Sequence, residues 1–181
     1  MVPMTIRKIS RMGHPILRQP AAPVEDPTAD SIKRLVLDMI ETMEDAQGVG
    51  LAAPQVYESL RLVMFHAIEE PVAPESAPLI ILINPQIDIL TDEMEEDWEG
   101  CLSVPGLRGL VPRYTHISYS GVDPDGHLIA REARGFHARV VQHECDHLDG
   151  ILYPQRMTDL SRLMFESESR HWDLPAVDDK V

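Results

Sequence analysis

Residues 135–148 have the sequence GFHARVVQHECDHL, and this stretch decides both the expected fold and the expected chemistry. Its pattern of apolar residues predicts a helix. His143 and His147 are four positions apart, so they lie one turn apart on one helix face and both imidazoles can reach one ion. Glu144 follows the first histidine and can hold a water molecule beside that ion. The motif H-E-x-x-H therefore indicates a catalytic metal site.

A catalytic metal site needs a third protein ligand and an open position, and several residues can be tested for that role. A third histidine six residues after the motif is one solution, but Tyr153 occupies that position. Cys145 is two residues from His143, about 200° around the helix, so it points away from the ion. Glu166 and Glu168 lie on a charged segment that is expected to face solvent.

Cys101 is the remaining candidate for the third ligand. Taken alone, it is equally well explained as a free structural cysteine. Its thiolate, however, is a good ligand for a borderline divalent ion, and the neighbouring Gly100 allows close backbone approach. Beside a motif that lacks a third ligand, we predict that Cys101 joins His143 and His147 at the metal.

Composition and charge define the class of protein. A chain of 181 residues with 44% hydrophobic content is expected to form one domain, 1–181, with an irregular tail from about residue 172. Two cysteines and an N-terminus without a long apolar run predict neither a secreted, disulfide-bonded protein nor a membrane protein, so the expected location is the cytoplasm. The net charge of −14 argues against direct nucleic-acid binding. The sequence predicts no particular oligomeric state.

The order of predicted elements indicates an α+β fold: short, mainly antiparallel sheets packed around the central H-E-x-x-H helix, with an N-terminal and a C-terminal helix. The N-terminal helix is expected from Ser31, as N-cap, to Ala46, after an extended arm over 6–24. The C-terminal helix is expected over 159–169. An acidic, proline-rich loop is expected at 69–78, and the acidic stretch 91–97 is expected to be solvated. The predicted strands are 60–68, 79–83, 87–90, 107–112, 116–122 and 127–134.

Three segments together resemble the signature motifs of one family. They are GVGLAAPQ at 48–55, EGCLS at 99–103 and QHECDH at 142–147, and their order and spacing are similar to those of peptide deformylases. The resemblance extends from about Ile6 to Met157. Part of it, around residues 104–109, is similar to the branch that includes mitochondrial-type enzymes.

The resemblance implies an enzyme that removes the formyl group from the N-terminal formyl-methionine of newly made chains and releases formate. It implies one divalent ion, Fe²⁺ in the cell, with Zn²⁺, Ni²⁺ or Co²⁺ able to occupy the site. The implied metal ligands are Cys101, His143 and His147, and the implied general base is Glu144. The Gln55 side-chain amide and the backbone N–H of Leu102 are implied donors to the developing oxyanion. The implied partners are the formyl-methionyl peptide and nascent chains at the ribosome.

Contacts to the substrate can also be predicted. The loop containing Val49 and Gly50 is expected to pair with the peptide backbone, where glycine leaves room for close approach. Gly100 and Arg108 match positions near that backbone. Phe136 and Val140 precede the two histidines on one helix face and, with Val49, would line an apolar hole for the methionine side chain. Simple core packing is the alternative for these apolar residues.

Two other functions are compatible with part of the pattern. A zinc peptidase shares H-E-x-x-H but takes its third ligand downstream and cleaves internal peptide bonds. A binding protein that keeps the fold without activity would be indicated by loss of Glu144, Gln55 or Cys101, and all three are present. Arg113 is further predicted to brace the helix by pairing with Asp146.

Overall fold

The structure is a computed structural model that describes residues 5–69 and 76–172. Within these ranges there are two α-helices, α1 (Asp30–Asp45) and α2 (Gly135–Leu148), and eight strands. The strands are β1 (Gly50–Ala52), β2 (Leu62–His66), β3 (Leu79–Ile89), β4 (Met94–Cys101), β5 (Val104–Tyr114), β6 (His116–Val122), β7 (Leu128–Arg134) and β8 (Met164–Phe165). Short 3-10 segments occupy Pro15–Arg18, Ala53–Val56, Tyr153–Gln155, Leu160–Arg162 and Glu166–His171. The predicted α+β class is confirmed.

The strands form two antiparallel sheets. Five strands lie in the order β1-β2-β3-β6-β7, and three lie in the order β4-β5-β8. β3 joins two segments that the sequence predicts as separate strands, with an irregularity between Ile83 and Gln86. Asn84, at φ 51°, stabilises this irregularity because its side chain exchanges two hydrogen bonds of 2.9 Å with the backbone of Val24.

Helix α2 lies at the centre, as predicted, and contacts strands of both sheets. Every residue from His137 to Leu148 is buried. The helix ends at Leu148, and Asp149 is its C-cap. Gly150 follows the cap with a φ of 73°, a conformation that suits glycine in this position. A Cβ at Gly150 would come within 2.6 Å of the Arg18 carbonyl carbon, so glycine also lets the N-terminal arm cross the end of the helix.

The N-terminal arm follows the predicted course over residues 6–24. Its extended path is interrupted by a turn at Met12 and Gly13 and by the 3-10 segment Pro15–Arg18. Its backbone N–H groups donate to other parts of the chain: Ser10 to the Gln55 carbonyl and Met12 to the Ser103 carbonyl, both at 2.7 Å. The arm therefore ties together two of the three resembling segments.

Helix α1 buries Leu35, Met39 and Met43 against the five-stranded sheet. The predicted N-cap at Ser31 is wrong. The N-cap is Ala29, because its carbonyl accepts the N–H groups of Ile32 and Lys33. Its side chain makes no capping hydrogen bond. Ser31 thus lies inside the first turn. Neither described α-helix has the length and apolar character needed to cross a membrane.

Strand pairing explains two further segments. The acidic stretch 91–97 is solvated as predicted, with residues 92–97 exposed, and its last four residues also belong to β4. The predicted C-terminal helix over 159–169 is instead two short 3-10 segments on either side of β8, because Met164 and Phe165 are extended to pair with Arg108 and Leu107. The predicted loop at 69–78 and the tail from 172 lie mostly outside the described residues.

Candidate metal centre

Two elements of the fold bring three potential ligands together. Helix α2 presents His143 and His147, and the end of β4 presents Cys101. One donor atom from each residue lies within 4.8 Å of the other two, and Sγ of Cys101 is 3.4 Å from Nε2 of His147. One sulfur and two imidazole nitrogens suit a borderline divalent ion such as iron or zinc.

The orientation of His143 is set from behind. Its Nδ1 lies 2.8 Å from Oε2 of Glu99, and a carboxylate can only accept, so Nδ1 carries the proton. The lone pair of Nε2 is then free to face the other two donors. Glu99 thus acts on the imidazole as an outer carboxylate commonly acts on metal-bound histidine.

Two arginines hold Glu99 in place. Arg113 donates two hydrogen bonds to its carboxylate, at 2.9 and 3.0 Å, and Arg139 donates a third at 2.9 Å. Burial alone would raise the pKa of Glu99, but the hydrogen bonds from His143 and Arg113 hold it well below its usual value. Glu99 is therefore an ionised carboxylate in the interior, and all its partners are cationic or proton-donating.

Arg139 and Arg113 are themselves anchored. Arg139 also donates to the carbonyls of Val111 and Glu95, at 2.7 and 2.6 Å, which ties α2 to β4 and β5. The predicted pairing of Arg113 with Asp146 is confirmed, with Nη1 2.5 Å from Oδ2. Sequence reasoning missed the roles of Glu99 and Arg139. Arg139 stands among the apolar residues of the buried helix, and this position in the sequence could have indicated a buried carboxylate partner.

Glu144 points into the same region. The residue is 5% exposed, and its buried Oε2 has no hydrogen-bond partner among the described residues. Gly50 gives it room, because a Cβ there would overlap Oε1. Burial is the main reason that the pKa of Glu144 is raised to about 7. A carboxyl that titrates near neutrality can both accept and return a proton.

The Gln55 side chain is held in one orientation. Its Oε1 accepts the Ala52 N–H at 2.8 Å, and its Nε2 donates to Ser103 Oγ at 3.1 Å. Nε2 is also 3.5 Å from Cys101 Sγ. The amide N–H₂ group therefore faces the ligand cluster, where its second hydrogen is directed at Cys101 Sγ.

One cavity of about 590 Å³ connects these groups. It is lined by all but one of the residues predicted for the site: Val49, Gly50, Gln55, Gly100, Cys101, Leu102, Arg108, Phe136, Val140, His143 and Glu144. The exception is His147, which is 1% exposed and lies behind Cys101. Trp98, Arg139 and Glu166 also line the cavity and were not predicted to. Cys145 is buried in the core beside the five-stranded sheet, as expected.

Known proteins resemble the chain over most of its length. The family model described as polypeptide deformylase matches residues 6–163. Peptide deformylase 1 of Bordetella pertussis is 58% identical over 87% of this chain and 90% of the relative. Peptide deformylase 2 of Ralstonia nicotianae is 51% identical over 94% of this chain and 97% of the relative.

Solved structures agree with these relatives. The Met-Ala-Ser-bound class I type b peptide deformylase of Acinetobacter baumannii has a TM-score of 0.78 and 36% identity, covering 86% of this chain and all of that chain. Peptide deformylase from Thermotoga maritima has a TM-score of 0.78 and 35% identity, covering 85% of this chain and 99% of that chain. The chain thus belongs to the polypeptide deformylase family, metal-dependent hydrolases that remove the N-formyl group from newly made polypeptides.

Proposed function

We propose that Cys101, His143 and His147 hold one divalent ion, Fe²⁺ in the cell, and that Glu144 is the general base of deformylation. The observation that carries the proposal is the meeting of one sulfur and two imidazoles within 4.8 Å, beside Glu144. These donors fit Fe²⁺ and equally Zn²⁺, Co²⁺ or Ni²⁺. Three protein ligands leave a position open, as a catalytic site requires.

Proton transfer is the task of Glu144. When bound, a divalent ion supplies a Lewis acid that polarises a carbonyl and lowers the pKa of water. The Glu144 carboxylate accepts the proton of the attacking water, and the resulting acid then protonates the leaving amine nitrogen. Burial raises the pKa of Glu144, which favours the protonated form that the second transfer needs. Formate and a free methionine amine are the products.

The developing oxyanion is stabilised by two donors of this chain. Nε2 of Gln55 and the backbone N–H of Leu102 would donate to the formyl oxygen as it gains negative charge. The held amide of Gln55 needs little reorganisation, since Ala52 and Ser103 already fix both of its ends. One such donor typically contributes about 3 kcal/mol to transition-state stability.

The cavity walls orient the substrate. Val49, Phe136 and Val140 form an apolar wall for the methionine side chain. Gly50 and Gly100 allow the peptide backbone to approach closely. Arg108 lies near that backbone. Holding the formyl group in one position converts the attack of water into an effectively intramolecular step.

The substrates are formylated nascent chains, and we further propose that the enzyme acts on them at the ribosome in the cytoplasm. The state of the cysteines supports this location. Both Cys101 and Cys145 are free thiols, which is the usual state of cysteines in a reducing compartment.

The direct test is product analysis with anaerobically purified protein of known metal content. From formyl-Met-Ala, the proposal expects formate and intact Met-Ala, with activity proportional to bound metal. Removal of the metal by a chelator should abolish formate release, and Fe²⁺ should restore it. Cleavage of the Met–Ala bond would instead support a peptidase.

A further inference from the structure

The C-terminal segment 164–172 contributes Glu166 to the lining of the cavity, although the segment lies beyond the residues that the family model matches. β8 is held against the cavity by pairing of Phe165 with Leu107 and of Met164 with Arg108. At the far end, the ring of Trp172 stacks on Trp98 with centroids 4.5 Å apart. Both ends of the segment are thus fixed to strands that line the site.

Arg108 connects this segment to the metal centre. It stands opposite Gly100 in the pairing of β4 with β5, and a Cβ on Gly100 would be 3.6 Å from Arg108 Cγ and Nε. The Arg108 side chain therefore extends across the residue that precedes Cys101. Its Nε donates to Oε1 of Glu166 at 3.0 Å.

The position of this ion pair matters more than its contribution to stability. The Arg108 side chain is 41% exposed and that of Glu166 is 56% exposed, and exposed pairs stabilise a fold little. The other acidic and basic residues that line the cavity are Glu99, Arg139, His143 and Glu144, and all four are buried. Among the described residues, Arg108 and Glu166 are therefore the charged side chains that an incoming peptide meets at the mouth.

We propose that Glu166 is a specificity-determining residue that favours basic and disfavours acidic side chains in the residues following formyl-methionine. This inference rests on the proposed function, since it requires the substrate to occupy this cavity. Glu166 occupies the guanidinium of Arg108, which would otherwise attract a carboxylate. Its own negative charge attracts an ammonium or guanidinium group, and the chain's net charge of −14 has the same sign.

The test compares kcat/KM for formyl-Met-Ala-Xaa-Ser with Xaa as Lys, Gln or Glu, using metal-loaded full-length protein. Relative to Gln, we expect Lys to be about threefold better and Glu about threefold worse, as for an exposed charge pair. In Glu166→Gln, the ratio of Lys to Glu substrates should fall to one or below, because the Arg108 guanidinium is then free to attract the acidic substrate. A parallel series with the charge at the second residue tests the neighbouring position.

Glu168→Gln is the matched control. It removes the same charge from the same segment, but Glu168 faces His171 and does not line the cavity. Its Lys-to-Glu ratio should equal that of the wild type. An unchanged ratio in Glu166→Gln, or an equal change in both variants, would overturn the proposal.

Salt dependence gives a second test that needs no variant. The wild-type preference should weaken as NaCl rises from about 50 mM to about 500 mM, because exposed charges are screened. A preference that salt does not alter would contradict an exposed carboxylate as its source. Absence of formate release from the Gln peptide would be a different result, since it would contradict the proposed function itself.

Discussion

Charged side chains are buried in the interior behind helix α2, whereas at the rim of the cavity they are exposed. Behind the helix, Glu99 is surrounded by Arg113, Arg139 and His143, and all four are largely buried. At the rim, Arg108 and Glu166 form one pair that remains in contact with solvent. The first arrangement leaves the imidazole of His143 one orientation, whereas the second leaves its side chains free to respond to a peptide.

This difference predicts which kinetic constant each region controls. Removing one partner from a buried ionic network leaves uncompensated charge and disturbs the geometry it holds. Changing an exposed pair alters only the local field. Variants in and around the buried centre should therefore reduce kcat or metal affinity, and variants at the rim should mainly alter KM and substrate preference.

Glu144→Ala should have the largest effect, because it removes the group that moves the proton. We expect kcat to fall by about 10³-fold, the scale of general acid–base catalysis. Metal content should stay at the wild-type level, since Glu144 is not among the proposed ligands. Formate release and metal analysis on the same sample check both points, and a fully active variant would refute the role of Glu144.

Gln55→Ala should follow, with a loss of about 10²-fold that falls on kcat more than on KM. The amide is expected to contact the oxygen only as negative charge develops on it. Gln86→Ala, an exposed glutamine on β3, is the control. A loss confined to KM would mean that Gln55 binds the substrate without stabilising the oxyanion.

Glu99→Gln tests the buried network. Metal affinity should fall by roughly 10–100-fold, as for other carboxylates that orient a metal-bound histidine. The metal-free protein should also lose about 3 kcal/mol of unfolding free energy, since Arg139 loses its carboxylate partner and Arg113 keeps Asp146 alone. Chelator competition and denaturant unfolding measure these effects. Glu95 is exposed on the same strand, and Glu95→Gln should change neither metal affinity nor stability. Wild-type metal affinity in Glu99→Gln would contradict the role assigned to Glu99.

Phe136→Ala should have the smallest effect of the four variants and sharpen the rim side of the comparison. Phe136 is 44% exposed and lines the cavity. KM for formyl-Met peptides should rise by roughly tenfold while kcat changes less, as for lost apolar contact in a substrate pocket. Leu128→Ala, which removes an exposed side chain on β7 away from the cavity, should leave both constants unchanged. A large loss of kcat in Phe136→Ala would contradict this assignment, because it would mean that Phe136 affects catalysis as the buried residues do.

The contrast also explains what could be predicted from the sequence. The bounds of α2 and the facing of its histidines depend on local spacing, and both follow from residues 135–148 alone. Cys101 could be predicted as the third metal ligand because Tyr153 occupies the position of a third histidine and Cys145 points away from the ion. The grouping of Glu99 with Arg139 could not be predicted, since the two are 40 positions apart in sequence and are brought together by β4, β5 and α2.

The parts of the fold that escaped prediction depend on partners. β4 begins with exposed acidic residues, which in isolation are typical of a loop, and becomes a strand by pairing with β5. β8 has only two residues, too few for any periodicity, and it too exists through β5. The role proposed for Glu166 depends on that pairing. Without it, the sequence around Glu166 is typical of an ordinary solvated segment.

The central claim is that Cys101, His143 and His147 hold the metal, and metal K-edge X-ray absorption of the anaerobically purified protein tests it most directly. The account predicts a first shell with one sulfur and two imidazole nitrogens, completed by lighter oxygen or nitrogen scatterers. Replacing Cys101 with serine should remove the sulfur contribution. A wild-type spectrum without sulfur, or one that Cys101→Ser leaves unchanged, would contradict the assignment.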